Sequence, residues 1–212
     1  MRPRAIFFDV DGTMIPLIVA VKTFQETCRH FHIKVITSKE LLGNAIGYKL
    51  GETIHKMIPD AIPIEKEFDK YFEEIQIKNF KKYGKLIPHV KPTLEFIHNK
   101  GIKIGIVTTK KRSEALAILN GYKLHYNVLV GGDDVRSRKP SPEPVLKACE
   151  DAEVNPRYCI FVGDHPFDMM AAKAAGCKAI GVLTGWGNEK NLKDAGADYI
   201  IKDLRGLIKL IK

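Results

Sequence analysis

The sequence predicts an α/β fold in which a doubly wound parallel sheet forms the core and an all-helical segment is inserted after the first strand. Two observations support this prediction. Short apolar runs that do not alternate with polar residues recur along the chain, as strands buried on both faces require. Helical repeats separate these runs, and residues 16–85 contain helical repeats alone. We therefore expect a Rossmann-like core from residues 1–15 and 86–212 and a helical domain from residues 16–85.

The first strand is predicted at residues 5–8, which are apolar throughout. The run ends abruptly in Asp9 and Asp11, and Gly12 allows the backbone to turn away. Because side chains alternate in direction along an extended chain, both carboxylates can face one pocket. Sheets of this kind bind ligands at the carboxyl ends of their strands. Asp9 and Asp11 are therefore candidate catalytic residues.

The inserted segment is predicted to contain three helices. Apolar residues recur at three- and four-residue steps over residues 17–31, and further helical stretches cover residues 38–46 and about 64–75. Ser38 is a plausible cap for the second helix. The charged residues that fill the other face of the third helix are typical of a solvated surface.

Strands and helices alternate in the rest of the chain. Strands are predicted at residues 103–108, 127–130, 158–162 and 179–183, and helices at residues 92–100, 111–120, 144–152 and 169–175. This alternation is typical of a parallel sheet with helices on both faces.

Polar residues follow the predicted strands at the point where each one ends. Thr108 and Thr109 follow one strand, Asp164 and Asp168 follow another, and Lys139 lies in a loop. Because strand ends converge on one edge, we expect these groups to meet the two aspartates of the first strand. A carboxylate nucleophile, a second carboxylate for proton transfer, a hydroxyl donor, a lysine and further acids together suit phosphoryl transfer.

Composition narrows the class of protein. The net charge of +9 comes from lysines spread along the chain without a nucleic-acid motif, so we expect a solvated surface and no nucleic-acid partner. The apolar stretch Met14–Val21 is too short to span a bilayer, and no signal peptide is visible. The 4 cysteines lack paired metal-ligand spacing, so we expect reduced, buried thiols in a cytoplasmic protein.

Four motifs resemble those of the haloacid dehalogenase superfamily: Asp9-Val10-Asp11-Gly12-Thr13, Ile106-Val107-Thr108-Thr109, Lys139-Pro140 and Gly163-Asp164-His165-Pro166-Phe167-Asp168. The resemblance covers nearly the whole core. Further segments are most similar to the phosphoglycolate phosphatase-like branch: Thr108-Thr109-Lys110, Gly131-Gly132-Asp133-Asp134-Val135, Arg138-Lys139-Pro140-Ser141-Pro142 and Ala171-Ala172-Lys173-Ala174-Ala175-Gly176. The resemblance implies a magnesium-dependent phosphatase that acts on a small phosphorylated metabolite, with residues 16–85 as its helical cap domain.

The resemblance also implies roles for individual residues. Asp9 attacks phosphorus to form an aspartyl phosphate, and Asp11 serves first as acid and then as base. Thr108, with Thr109 beside it, binds the phosphoryl group, and Lys139 neutralises the negative charge that develops there.

The same resemblance implies a Mg²⁺ site. Its ligands would be the carboxylates of Asp9 and Asp164 and the backbone carbonyl of Asp11, with water and phosphate completing the octahedron. Asp168 would not bind the ion directly but would orient Lys139.

The chain departs from the family pattern at three places. Pro16 and Leu17 stand where an acidic residue and a serine are usual, His165 replaces Ser or Thr, and Thr109 replaces a frequent Asn. These departures remove no catalytic group, but they weaken the inference that phosphoglycolate itself is the substrate. We expect the His165 ring either to change its charge near neutral pH within the site or to lie exposed. We expect Trp186 either to touch the substrate or to have a packing role.

Other functions stay open or are disfavoured. A sugar-phosphate mutase and a pyrophosphatase share the constellation, so the motifs do not exclude them. Asp11 argues against a dehalogenase proper, because halide departure needs no acid at that position. A phospho-aspartate signalling domain would carry its acceptor on the third strand and has no place for the helical insert. A catalytically silent scaffold is disfavoured because no motif residue is missing.

Overall fold

A computed structural model describes residues 2–38, 40–41 and 50–211 of the protein. These residues fall into two compact units. One comprises the chain up to Pro16 and from Leu86 onward, and the other comprises Leu17–Lys85.

The first unit contains a six-stranded parallel sheet in the order β3-β2-β1-β4-β5-β6. The strands are β1 (Ala5–Phe8), β2 (Lys103–Val107), β3 (Val128–Val130), β4 (Cys159–Gly163), β5 (Lys178–Val182) and β6 (Tyr199–Ile201). All four residues of β1 are fully buried, as the lack of apolar–polar alternation predicts. The sheet confirms the predicted α/β fold.

The second unit is helical throughout its described elements. It contains α1 (Ile18–His30), α2 (Leu50–Met57), a 3₁₀ helix at Pro59–Ile64, and α3 (Glu65–Tyr83). These elements share an apolar core of their own, which includes Phe24, Ile54 and Phe68. The helix predicted at residues 38–46 lies largely outside the described residues, since only Ser38, Glu40 and Leu41 of it are described.

Helices of the first unit are α4 (Val90–Asn99), α5 (Arg112–Gly121), α6 (Glu143–Asp151), α7 (Pro166–Ala174), α8 (Glu189–Asp194) and α9 (Arg205–Ile211), with a 3₁₀ turn at Pro156–Tyr158. Apolar residues of α6 and α7 pack against β1 and β4 in one cluster that includes Val145, Met169 and Phe161. This packing fixes the strand ends from which the site is built.

The C-terminal part contains elements that sequence patterning does not predict. Strand β6 has only 3 residues and lies at the sheet edge, and α8 has only 6 residues, so neither is long enough to display a period. Within the described part of the chain, no helix has both the length and the apolar character needed to cross a membrane.

Candidate active site

The predicted site lies where the strand order reverses. Strand β1 is central, with β2 and β3 on one side and β4 to β6 on the other. Crevices at such a reversal, outside the carboxyl ends of the strands, are the usual ligand sites of these sheets. Asp9 follows β1 and Asp164 follows β4, and the backbone N–H of Asp9 donates to the carbonyl of Val162 at 3.0 Å. Adjacent strands thus bring two predicted site residues to one crevice.

Lys139 bridges two carboxylates in this crevice. Its Nζ lies 2.7 Å from Asp9 Oδ1 and 2.6 Å from Asp168 Oδ1, and it also donates to the Val107 carbonyl at 3.3 Å. The lysine is only 6% exposed. Burial alone would lower the pKa of Lys139, but the charges of Asp168 and Asp9 outweigh it and raise that pKa. Lys139 is therefore a fixed positive charge beside the predicted nucleophile.

Asp168 is held from two sides. Its Oδ1 accepts a hydrogen bond from Lys139, and its Oδ2 accepts the backbone N–H of His165 at 3.0 Å. That second bond belongs to a capping box at the start of α7. The helix terminus therefore fixes the carboxylate that faces Lys139.

Asp164 is immobilised by neighbours from two other loops. The Thr13 hydroxyl donates to Oδ1 at 3.2 Å, and the backbone N–H of Trp186 donates to Oδ2 at 2.7 Å. The carboxylate packs so closely on Gly12 and Gly185 that a β-carbon at either position would overlap it. Gly12 also has φ +78, a conformation that side chains disfavour. Thr13 and the Trp186 backbone are supporting groups that sequence reasoning missed, although Thr13 belongs to the first motif.

The carboxylates exceed the positive charge available to them. Ligand oxygens of Asp9, Asp164 and Asp168 all lie within 4.8 Å of one another, and all three residues are buried. Among the described residues, the one ammonium bonded to these carboxylates is that of Lys139, so the group has an excess of two negative charges when all three carboxylates are ionised. Burial raises the pKa of Asp9 to about 7, although the positive charge of Lys139 acts to lower it. The charges of Asp168 and Asp11 add to the rise. Burial and the charge of Asp9 likewise raise the pKa of Asp164 well above its ordinary value.

This charge excess fits a divalent cation. Two positive charges would balance the group, and hard carboxylate oxygens are the ligands that Mg²⁺ prefers. Asp168 is paired with Lys139 and with the backbone at the start of α7, so its charge is already committed. Asp164 has no cation among its hydrogen-bond partners in the described part of the chain, and Asp9 bonds Lys139 through Oδ1, so these two carboxylates would hold the ion. The predicted ligand pair therefore suits the proposed ion.

Asp11 is paired with a lysine that sequence reasoning did not include among the site residues. Lys110 Nζ lies 2.9 Å from Asp11 Oδ2, and the lysine is buried. Burial opposes the charge on Lys110, but the charges of Asp11, Glu114 and Asp9 and the hydrogen bond to Asp11 together outweigh this effect and raise the pKa of Lys110. The other oxygen, Asp11 Oδ1, is buried and has no hydrogen-bond partner among the described residues. The signal that could have found Lys110 is its place in the Thr108-Thr109-Lys110 segment.

The two threonines after β2 differ in their surroundings. Thr108 is buried, and its Oγ1 accepts the backbone N–H of Lys110 at 3.2 Å. Because that bond uses the oxygen as acceptor, the hydroxyl proton stays available for donation. Thr109 is partly exposed, and within the described ranges its hydroxyl has no hydrogen bond to the carboxylate group. Thr108 thus has a hydroxyl proton to donate, whereas Thr109 has no hydrogen bond to the carboxylates, and the predicted phosphoryl contacts of both residues stay predictions.

His165 is neither exposed nor charged near neutrality, so both expectations for its ring are wrong. The residue is 9% exposed, and burial lowers its pKa to about 4. Its Nδ1 accepts the backbone N–H of Phe167 at 3.1 Å, which requires an unprotonated nitrogen. The ring also packs on Trp186, with centroids 4.7 Å apart. His165 is a neutral cap for α7, and a sequence alone does not display that burial.

A parallel α/β sheet with buried carboxylates and a lysine at the reversal of its strand order defines a Rossmann-like α/β protein with a candidate catalytic crevice. A protein-family model described as "Haloacid dehalogenase-like hydrolase" matches residues 6–182 of the chain. The chain belongs to the haloacid dehalogenase-like hydrolase family.

Individual relatives agree with this membership. A pyrophosphatase PpaX from Bacillus pumilus is 32% identical and covers 98% of this chain and 96% of its own. A phosphoglycolate phosphatase from Escherichia coli O157:H7 is also 32% identical, over 97% of this chain and 91% of its own. A crystal structure from Bacteroides fragilis, assigned to the haloacid dehalogenase-like hydrolases, superposes with a TM-score of 0.87 at 27% identity and covers 97% of this chain and 100% of its own.

Proposed function

We propose that this protein is a magnesium-dependent phosphatase that hydrolyses a small phosphate monoester through an aspartyl-phosphate intermediate on Asp9. The observation that carries the proposal is the buried Asp9–Lys139–Asp168 bridge beside Asp164 at the reversal of the strand order. A carboxylate fixed by a lysine and adjacent to a candidate cation site is the arrangement that phosphoryl transfer uses.

Asp9 acts as the nucleophile in this mechanism. Lys139 holds Oδ1, which leaves Oδ2 to attack phosphorus. A bond forms between this oxygen and phosphorus, and the bond from phosphorus to the ester oxygen breaks. Lys139 retains its positive charge throughout and balances the negative charge that spreads over the phosphoryl oxygens.

Asp11 moves the protons. In its protonated form it donates a proton to the departing alkoxide, and the resulting carboxylate then accepts a proton from the water that attacks the aspartyl phosphate. Lys110 at 2.9 Å stabilises the carboxylate form between these two steps. The second attack breaks the bond between Asp9 and phosphorus, which restores the free carboxylate and releases phosphate.

Two further groups complete the site. The Thr108 hydroxyl donates to a phosphoryl oxygen. Mg²⁺, when bound by Asp9, Asp164 and the Asp11 carbonyl, supplies positive charge that neutralises phosphate and nucleophile.

Hydrolysis of an aryl phosphate by the full-length protein tests the proposal. Activity should require Mg²⁺ and vanish in EDTA, and Asp9→Asn should lower turnover by roughly 10³-fold or more. Asp164→Asn should chiefly raise the Mg²⁺ concentration that gives half-maximal activity. The matched control is Asp151→Asn, which removes an exposed carboxylate on α6 that pairs with Lys147 at the surface. Near wild-type turnover in Asp9→Asn, or full activity in EDTA, would refute the mechanism.

Pyrophosphate hydrolysis is a second candidate activity. It is favoured by the relative named pyrophosphatase PpaX, which matches this chain as closely as the one named phosphoglycolate phosphatase. Parallel kcat/KM measurements on pyrophosphate, phosphoglycolate and a hexose phosphate decide between the two. Analysis of the hexose phosphate products also detects mutase activity, because a mutase returns an isomeric phosphate instead of free phosphate.

The helical unit Leu17–Lys85 is proposed to be the cap domain that selects the small phosphorylated metabolite. It has its own apolar core, and none of the four motifs lies in it. Replacing it with the corresponding segment of the Bacillus pumilus relative should change the ranking of substrates while leaving Mg²⁺ and Asp9 dependence intact. An unchanged ranking would contradict this assignment.

A further inference from the structure

Three cysteine thiols from separate elements meet in the core of the first unit. Cys149 lies in α6, Cys159 begins β4, and Cys177 directly precedes β5. Cys149 Sγ is 3.8 Å from Cys159 Sγ and 3.9 Å from Cys177 Sγ, and all three sulfurs lie within 4.8 Å of one another. Each residue is at most 3% exposed. The proposed phosphatase mechanism uses none of them.

We propose that this three-thiol cluster binds one thiophilic divalent cation of the Zn²⁺ class. A tetrahedral centre with metal–sulfur distances of about 2.3 Å places neighbouring sulfurs about 3.8 Å apart. The separations of Cys149 Sγ from the other two sulfurs already match this spacing, and the third pair of sulfurs lies within 4.8 Å. A disulfide is a poorer match, since its sulfurs must approach to about 2.05 Å.

A backbone oxygen beside one of the thiols is a candidate fourth ligand. The Asn155 carbonyl oxygen lies 3.5 Å from Cys159 Sγ and accepts the backbone N–H of Tyr158 at 2.9 Å, so it would serve the ion with its second lone pair. Sulfur and oxygen ligands at about 2.3 and 2.1 Å from one tetrahedral ion are separated by about 3.6 Å. The loop between α6 and β4 thus carries an oxygen at the spacing that a mixed sulfur–oxygen site requires.

Charge favours a divalent over a monovalent ion. On binding, each thiol loses its proton to solvent and each sulfur donates an electron pair to the metal. Three thiolates with a divalent ion carry one net negative charge, whereas a monovalent ion leaves two. The surrounding cluster is apolar and includes Val145, Ala148 and Ala152, so the smaller residual charge costs less to bury. Mg²⁺ prefers oxygen ligands and is not expected to compete at the sulfurs.

The cluster is remote from the candidate active site. Cys159 begins β4, and Asp164 follows its last residue, so the two lie about 16 Å apart along the strand at ~3.3 Å per residue. A bound ion would therefore not take part in phosphoryl transfer. It would tie α6, β4 and β5 together and stabilise the folded state in proportion to its affinity.

Cadmium titration of the full-length protein tests the proposal. The chelator-treated protein is kept reduced with a phosphine and saturated with Mg²⁺, and Cd²⁺ serves as the probe because thiolate ligands produce an ultraviolet sulfur-to-metal charge-transfer band. We expect the band to saturate at one Cd²⁺ per chain and Zn²⁺ to displace it. Cys149→Ala and Cys177→Ala should abolish the band or weaken binding by more than about 100-fold, beyond the usual loss from a supporting residue.

The matched control is Cys28→Ala, which removes a fully buried thiol of the helical unit and should leave the band unchanged. Absence of a stoichiometric band in the wild-type protein overturns the proposal irrespective of how the variants fold. An undiminished band in a folded Cys149→Ala variant overturns it as well. Neither result bears on the proposed phosphatase activity, which is measured with Mg²⁺ alone.

Discussion

Removing the charge of Asp9 should stabilise the metal-free protein, although it should abolish activity. Burial of its charge is the largest effect that raises the pKa of Asp9, and repulsion by Asp168 and Asp11 adds to it. Asn at position 9 keeps an oxygen for Lys139 and presents an amide that can donate to the remaining carboxylates. The substitution therefore removes both the cost of burying this charge and the repulsion, and it retains the hydrogen bond.

The magnitude follows from the pKa of Asp9, which is raised from 3.8 to about 7. The folded state holds this proton more tightly than the unfolded chain, so the stabilisation is complete below about pH 4 and is lost as the pH rises through about 7. At ~1.4 kcal/mol per pH unit, ionisation of Asp9 costs the folded state about 4 kcal/mol at most. Because the neighbouring carboxylates share protons, about half of that is expected for Asp9→Asn.

Thermal unfolding in EDTA at several pH values measures the effect. At pH 8 the variant should melt about 4–8 °C above the wild-type protein, since ~1 kcal/mol shifts the Tm of a chain of this size by about 2–4 °C. The difference in Tm between Asp9→Asn and the wild-type protein should nearly vanish at pH 4. The Asp151→Asn control should have the wild-type Tm at both pH values. Added Mg²⁺ should raise the Tm of the wild-type protein more than that of the variant. An Asp9→Asn variant no more stable than the wild-type protein at pH 8 would show that the buried charge of Asp9 does not destabilise the folded state.

Three further changes test other contacts. Gly185→Ala would push a methyl group into the Asp164 carboxylate, so calorimetry should find Mg²⁺ affinity reduced about tenfold or more, and equal affinity would contradict the packing. Lys110→Met leaves the Asp11 carboxylate without its partner and should lower the free energy of unfolding by about 2–4 kcal/mol in denaturant titrations, an effect that Lys110→Arg should largely rescue. His165→Ser should have the same pH dependence of Mg²⁺ affinity as the wild-type protein between about pH 6 and pH 8, because the buried ring stays neutral there; a difference would show that it titrates.

Local sequence patterns were sufficient for the α/β fold and for the strands that surround the crevice. Strand β1 is buried on both faces, and its run of four apolar residues without alternation predicts this burial. The rule that parallel strands present their carboxyl ends at one edge then predicted that Asp9 and Asp164 lie close together. Short elements such as β6 could not be predicted, because three residues carry no measurable period.

Partners that come from distant parts of the chain were decided by tertiary structure alone. The sequence placed Lys110 beside Thr109 but could not pair it with Asp11, and it left the charge of His165 open because burial is a property of the whole fold. The cysteines illustrate this most clearly, since Cys149, Cys159 and Cys177 have no metal-ligand spacing along the chain yet bring three sulfurs together in space. Periodicity and strand-end polarity are local properties that a sequence displays directly. Charge balance, burial and ligand geometry depend on which elements pack side by side, and only the folded chain determines that.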